Sequence, residues 1–482
     1  MLVYRVLRAL GRLSLRWFYR DVEVVGIERL PRTGPVLLAS NHPNALVDAL
    51  VIACALERPV TLTAKATLLD HPVTRVLMRA VGVVPLRRAS DERARRANEA
   101  EHGAASPDLW RNERAFGAVL DVLQRGGVVL LFPEGKSHSE PSLAPLKTGL
   151  ARIALMARDD RRIDHLPIVP TGLTFERKWE PRSRVLMRVG MPVVTTPDVP
   201  NDAAGVARLT DRIDVGLRQV TLNFETEDEA RRILAVSGVL ARVLGGFRPL
   251  RAPDPPLAEH VQLAQRIDVI ASHLSRLDRP LAARVDTFVT RLTAFEDRAR
   301  ASGVAASDVE MPVGIGRGAW FVARELFIAV IAGPLALWGR VNHWLPLRLA
   351  RALAHRTSRT PDEPAMHTIV GGLVLVLAFY AVQITAVVLL AGWLAGLLYG
   401  VSLPVSATWD IKYADRRRRG VARVRTYLRL RRDPALHTAL VSDVAWLRAE
   451  ALSLDDLLER EFSTIPPHSA SQQLAIQGLP GR

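Results

Sequence analysis

Short apolar runs alternate with stretches of helical spacing from Val22 to about Pro192. The runs Val22–Val25, Pro35–Ser40, Val60–Ala64, Val128–Phe132, Ile168–Gly172 and Val185–Val189 predict strands. Between them, Asn44–Leu56, Arg88–Glu101, Glu113–Gln124 and Leu146–Ala157 predict helices. Alternation of this kind predicts an α/β domain over residues 21–225, built on a mainly parallel sheet. Ahead of it, Arg5, Arg8, Arg12, Arg16 and Arg20 fall three or four apart, with Leu, Val, Trp17 and Phe18 around the rest. That spacing predicts an amphipathic helix over residues 1–20, lying on an anionic membrane surface. Packing on the protein's own core is the alternative. A secretory signal would need an unbroken apolar stretch and a small-residue cleavage site, and these residues have neither.

The pattern changes after Asn223. Thr226 and Glu229 form a capping box that opens a helix through Arg231–Val243, and residues 226–318 read as charged amphipathic helices broken by the Pro-rich run at 248–256. From 369 to 405 the only ionisable groups are the phenols of Tyr380 and Tyr399. One helix of that length would reach about 55 Å, well beyond a hydrocarbon core of ~30 Å. Two spans turning near Ala391–Gly396 fit better. Arginines before the run (Arg348, Arg351, Arg356, Arg359) and basic residues after it (Lys412, Arg416–Arg419) predict a hairpin with both ends cytoplasmic. The 13 apolar residues Leu326–Trp338 are short, and extending them would place Arg324 in the bilayer at about 2.5–3.5 kcal/mol, so they read as interfacial or re-entrant. Residues 319–405 thus form the membrane segment and 406–482 a basic cytoplasmic tail. Its Arg416–Arg432 helix would lie on headgroups, and the stretch after Ile465 reads as disordered. The expected location is the cell membrane, multi-pass, with the α/β domain on the cytoplasmic side.

Composition narrows the classes. The chain has 482 residues, 49% hydrophobic and 24% charged, which excludes a disordered tail. A single cysteine, Cys54, excludes a disulfide framework and a Cys-rich zinc site; it reads as a small buried side chain, and no metal is expected. Net charge is +16, and all but five of the 65 basic residues are arginine. No zinc-finger, homeodomain or RNA-recognition signature is present, so an anionic membrane rather than nucleic acid is the expected partner.

Chemistry concentrates in four places. Ser40-Asn41-His42-Pro43-Asn44-Ala45-Leu46-Val47-Asp48 follows a strand. On one regular helix His42 and Asp48 would point about 240° apart. His42 is therefore expected on the loop, with Asp48 one turn into the helix and folding back to it, and with Asn44 as N-cap. A carboxylate on one ring nitrogen fixes the tautomer and leaves the other as a general base for a hydroxyl. A capped helix start with a surface histidine is the plainer alternative. Gly82-Val83-Val84-Pro85-Leu86-Arg87-Arg88 ends on paired arginines suited to a phosphate. Phe132-Pro133-Glu134-Gly135-Lys136-Ser137 leaves a strand on a turn and leads to Pro145-Leu146-Lys147-Thr148-Gly149, and Ile168-Val169-Pro170-Thr171-Gly172 ends another strand. Four such ends predict one site at the carboxyl edge of the sheet. Gly135-Lys136-Ser137 is no nucleotide loop, because Leu130 stands where its first glycine must be. There is no Gly-x-Ser-x-Gly elbow, and His138 reads as a surface turn residue.

In order and spacing these four stretches resemble the motifs of the glycerophosphate acyltransferase family, the plsC-type lysophospholipid acyltransferases, over residues 22–192. The pattern is similar to the glycerol-3-phosphate/dihydroxyacetone-phosphate branch, whose members carry a membrane hairpin after the catalytic domain. The resemblance implies a plsC-like α/β domain followed by a helical region and a C-terminal transmembrane hairpin. It implies His42 as base and Asp48 as its partner. Asn44, Arg87, Arg88, Glu134, Gly135 and Lys147 would hold the glycerol phosphate, and Pro170 would border the acyl or acceptor pocket. The reaction implied is acyl transfer from acyl-CoA or acyl carrier protein, as co-substrate and without a cofactor, to glycerol 3-phosphate or 1-acylglycerol 3-phosphate. A non-phosphate lipid or amine acceptor, or a silent membrane scaffold, are the alternatives. One departure stands out: five residues, not four, separate His42 from Asp48.

Overall fold

The computed structural model describes residues 2–66, 75, 78, 81–86, 109–250, 252, 255–274, 278–357 and 364–464. The chain divides into two compact units, Met1–Asn223 with Ser358–Ile369, and Phe224–Thr357 with Val370–Arg482.

The first unit opens with α1 (Leu2–Phe18) and β1 (Asp21–Val25), then β2 (Val36–Ser40), α2 (Ala45–Ala55), β3 (Val60–Lys65) and β4 (Val84–Leu86). It continues through α3 (Leu109–Gln124), β5 (Val128–Leu131), α4 (Gly149–Arg161), β6 (Pro167–Phe175), β7 (Arg184–Val189), β8 (Val193–Val194) and α5 (Ala203–Val220). The sheet order is β1-β7-β6-β2-β5-β3-β4, with β8 beside β6. Strands β6, β2, β5, β3 and β4 pair in parallel, while β7 and β8 run antiparallel to β6. Every residue of β2 and β5 is buried, as expected of central parallel strands covered on both faces. Alternation sorts their side chains. Leu37, Ala39, Val129 and Leu131 pack under α3, α4 and α5, whereas Val36, Leu38, Val128 and Leu130 pack under α1 and α2.

The six expected strands are all present, and β4 and β8 add two too short to carry a periodicity of their own. The expected helix Arg88–Glu101 lies outside the described residues. The fourth motif needs a correction: Pro170-Thr171-Gly172 is not a strand end but the middle of β6, which continues to Phe175. Gly172 is there because α5 ends against it. A Cβ on Gly172 would stand 2.0 Å from the Val220 carbonyl oxygen. Gly172→Ala is expected to cost about 1–3 kcal/mol. Gly117, in mid-α3, has nothing within 4 Å of its would-be Cβ. Gly117→Ala should be neutral or gain up to ~1 kcal/mol. Thermal melting of the two variants side by side checks this, and equal midpoints would refute it.

The first helix packs one face on the protein's own core. Leu15, Phe18 and Tyr19 are buried with α2, and a Cβ on Gly11 would meet Leu50 Cδ1 at 2.9 Å and Cys54 Sγ at 3.1 Å. Arg8 and Arg12 donate to the carbonyls of Glu57 and Cys54, closing the C-terminal end of α2. So one face of α1 belongs to the core, with Val3, Arg5, Val6, Ala9 and Arg16 on its outer face. Burial pushes the Cys54 thiol up to about 11, which leaves it an unreactive filler.

The second unit is helical: α6 (Glu227–Gly245), α7 (Leu257–His273), α8 (Arg279–Ala301), α9 (Ile315–Thr357), α10 (Gly372–Ala391), α11 (Trp393–Arg432) and α12 (Pro434–Thr464). The capping box forms, with Glu229 N donating to Thr226 Oγ1 at 3.1 Å. Leu240, Phe288, Phe295, Leu430, Leu447 and Leu454 share one core, so the charged region and the basic tail are one folded body rather than two separate segments. Four of its arginines are tied internally: Arg266 to Asp455, Arg284 to Glu450, Arg298 to Asp443, and Arg423 to Asp308. The stretch expected to be disordered, after Ile465, lies outside the described residues.

Among the described residues, two helices are long and apolar enough to cross a membrane, Ile315–Ala354 and His367–Ala391. The hairpin turns at Gly392, whose φ of 88° a side chain would resist, between α10 and α11. Leu326–Trp338, expected to be interfacial or re-entrant, is the middle of α9, a 43-residue helix with Pro334 and Pro346 inside it. The charge that argued against extension is compensated. Glu325 bridges Arg324 at 2.8 Å and, across the bundle, Arg416 at 2.7 Å. The two phenols find partners on α9 as well, Tyr380 with His343 and Tyr399 with Asn342. A Cβ on Gly339 would stand 2.2 Å from the Ser406 carbonyl oxygen, which marks the close crossing of α9 and α11.

Candidate active site

Strands β2 and β5 end side by side, with Ala39 paired to Leu131, so the loops after them share one edge of the sheet. Residue 41 fixes the first loop. Asn41 Nδ2 donates to the Leu173 carbonyl at 3.0 Å, and Leu173 N donates back to Asn41 Oδ1 at 2.8 Å, so a side chain continues the β2–β6 ladder. His42 comes next, and α2 begins at Ala45, which puts Asp48 in the first helical turn. Its carboxylate turns back: Oδ2 accepts from His42 Nδ1 at 2.9 Å and from the Asn44 amide at 2.7 Å. The turn needs Ala45 in the left-handed region, φ 45°, and Ser137 Oγ accepts its amide proton at 3.2 Å. This left-handed residue is how the loop brings together two groups separated by five residues.

Asp48 is fully buried, and among the described residues its Oδ1 has no hydrogen-bond partner. Burial pushes its carboxyl upward, and the hydrogen bond from His42 opposes that rise. A carboxylate starved of solvent stabilises a positive charge on the imidazole it touches. Phe132 stacks on the His42 ring, with centroids 3.9 Å apart and planes 11° apart. The ring is held at Nδ1 and over its face, and its side chain is 14% exposed. A histidine held in this way can take a proton at Nε2.

The third motif grips the same loop. Glu134 Oε1 accepts the His42 amide at 2.7 Å, and Oε2 accepts the Ala144 amide at 3.0 Å and the His138 ring Nε2. Glu134 is buried, and all these bonds are internal, so it fastens the site where a phosphate-holding role was expected. Its negative charge would repel a phosphate in any case. Gly135 sits at φ 75°, and a Cβ there would meet Lys147 Cγ at 3.4 Å. The Lys147 amide donates to the Pro133 carbonyl at 2.7 Å, which brings the exposed lysine back to the Gly135 turn.

Other expectations shift. Asn44 stands at the N-cap position, but its side chain makes no capping bond; its amide donates to the Lys178 carbonyl at 3.2 Å and, at 3.4 Å, to the Tyr19 hydroxyl. It is buried and joins α1 to the loop rather than facing a substrate. Pro170 is buried, and a Cβ on Gly216 of α5 would lie 2.8 Å from its Cγ, so its ring packs toward α5 instead of bordering a pocket. Arg87 and Arg88 lie outside the described residues; β4, which precedes them, ends at Leu86 opposite Lys65, on the edge where the other strands end. Asn41 and Phe132 were given no role from sequence, and His138, read there as a surface turn residue, is largely buried instead. Only their adjacency to His42 and Glu134 signalled them.

Residues 21–174 match the family model described as Acyltransferase. Glycerol-3-phosphate O-acyltransferase 2 of Saccharomyces cerevisiae is 34% identical over 155 residues, 31% of this chain and 20% of that protein. Glycerol-3-phosphate O-acyltransferase 1 of the same yeast is 33% identical over 116 residues, 22% of this chain and 15% of that protein. An uncharacterized acyltransferase of Schizosaccharomyces pombe is 24% identical over 248 residues, 37% of each chain. The chain thus spans 37% or less of the length of the curated relatives it matches. The solved structure of the 1-acyl-sn-glycerophosphate (LPA) acyltransferase PlsC from Thermotoga maritima is 19% identical, covers 45% of this chain and 78% of that one, and gives a TM-score of 0.32. The four motifs, in sequence order on a mainly parallel sheet, fall within this match, so residues 21–174 are similar to the Acyltransferase family.

Proposed function

We propose that the protein is a membrane-bound O-acyltransferase. It moves a fatty acyl group from acyl-CoA or acyl carrier protein to glycerol 3-phosphate or 1-acylglycerol 3-phosphate, with His42 as general base. The observation that carries this reading is the pair of His42 Nδ1 and buried Asp48, 2.9 Å apart, which directs Nε2 to the substrate. Nε2 takes the proton of the acceptor hydroxyl as its oxygen attacks the thioester carbonyl. The carbon–sulfur bond then breaks, and the thiolate leaves with the proton that His42 returns. Asp48 stabilises the imidazolium between these steps. Lys147, beside Gly135, and the arginines Arg87 and Arg88 hold the acceptor's phosphate. Holding it makes the attack effectively intramolecular. The yeast relatives are named for glycerol 3-phosphate, which favours that acceptor. The apolar run through α10 and the start of α11 supports a membrane hairpin, and the basic residues on both of its flanks support placing its ends, and with them the catalytic domain, on the cytoplasmic side.

The test is acyl transfer by membranes supplied with radiolabelled palmitoyl-CoA, with each acceptor offered separately and wild type beside His42→Ala. Product from one acceptor, lost in the variant, is expected. Product from neither acceptor, repeated with acyl carrier protein as donor, would favour a non-phosphate acceptor or a scaffold. Replacing Lys147, Arg87 or Arg88 by alanine should raise the acceptor KM more than the donor KM, and equal changes would refute the phosphate assignment.

A further inference from the structure

His138 is not the surface residue its turn suggests. Its side chain is 11% exposed, and its Nε2 meets Glu134 Oε2. The Glu140 amide donates to Nδ1 at 3.3 Å, which leaves the proton on Nε2 to be given to Glu134. The backbone amide of His138 also donates to the His42 carbonyl, at 3.2 Å. His42 is therefore gripped at both ends of its own residue: its amide by the carboxylate that His138 supports, and its carbonyl by His138 itself. A buried carboxylate with two backbone donors still lacks part of its solvation, and the imidazole supplies the third donor while covering it from water.

We propose that His138 is a positioning residue for His42: through Glu134 it fixes the backbone of the base, and with it the height of Nε2 above the acceptor. The inference rests on the reading of His42 as general base, but its structural half is testable without turnover. The family match and the relatives' names say nothing of this histidine, and its imidazole reaches no reacting atom.

The experiment uses the whole chain in detergent, comparing wild type with His138→Met, close in volume without the donor, and His138→Gln, which keeps one. Hydrogen exchange of the amides at residues 41–45 is expected to quicken about 10–100-fold in the Met variant, as befits a lost hydrogen bond to a charged group, and far less in the Gln variant. In the same preparations kcat should fall about 10–100-fold for Met, with both KM values within about two-fold, and recover in Gln. Unchanged exchange in the Met variant overturns the proposal, and so does a raised acceptor KM at unchanged kcat, which would make His138 a substrate ligand. Should wild type transfer no acyl group, the acyltransferase reading fails on its own, while the exchange comparison still decides whether His138 holds the loop. If the Met variant does not fold, His138→Ala carries the same comparison.

Discussion

His42→Ala is expected to lower acyl transfer by about 100- to 10,000-fold, the range for losing a positioned general base. Both KM values should stay close to wild type, because in the proposed reaction the imidazole meets the acceptor hydroxyl and not the phosphate or the acyl chain. Asp48→Asn should come near the same loss by another route. The carboxylate accepts from His42 Nδ1 and the Asn44 amide through one oxygen. An amide oxygen in that place can keep both bonds, with its NH2 buried where Oδ1 has no partner, but it brings no negative charge to stabilise the imidazolium. The flipped amide would set an N–H against the Asn44 donor and push the ring proton to Nε2, where the base must be empty, so either orientation weakens the base. The pair therefore acts as a unit, and the double variant should be little worse than His42→Ala alone. Single-turnover rates across the four proteins check this. Additive losses would mean that Asp48 acts on something other than His42.

Glu325→Ala is expected to destabilise the helical unit by about 3–5 kcal/mol, the cost of stranding a partner's charge in an apolar setting. Glu325 accepts from Arg324 on its own helix and receives two bonds from Arg416 on α11, at 2.7 and 2.8 Å. Its loss leaves two guanidinium groups facing each other beside the apolar spans. Glu325→Ala combined with Arg416→Ala should be milder than Glu325→Ala alone, because the double change removes a charge together with its counter-charge. Thermal midpoints in lipid nanodiscs measure both. An unaltered midpoint for Glu325→Ala would show that the arginines reach headgroup phosphates unaided.

The strands were legible because buried parallel strands read as near-continuous apolar runs, and Val128–Leu131 is one without a break. The three residues of β4 and the two of β8 are too few to carry a period. The hairpin stood out as an uncharged run, but α9 did not. A charge beside a long apolar run looks prohibitive until its partner is known, and Arg416 is 91 residues away. An arginine stripe fits a lipid surface and a protein surface alike; what decides α1 is Gly11, whose bare backbone lets α2 come close. Within the site, His42 and Asp48 were readable because a loop and one helical turn bring them together locally. The roles of Glu134 and Asn41 were not, because their partners are the backbones of His42, Ala144 and Leu173, and a backbone amide leaves no trace in residue identity.

The bond from Asn41 to Leu173 spans 132 residues, and that from His42 to Glu134 spans 92. The two reactive groups are near neighbours in the chain, yet everything that aims them arrives much later. During synthesis at about 5–20 residues per second, some 7–26 s separate the appearance of residue 41 from that of residue 173. For that interval α2 and its loop wait without the strand that seats them. A nascent chain halted before Leu173 should therefore carry both groups and still lack an organised site, so that activity arrives late in assembly, with the closing of the sheet.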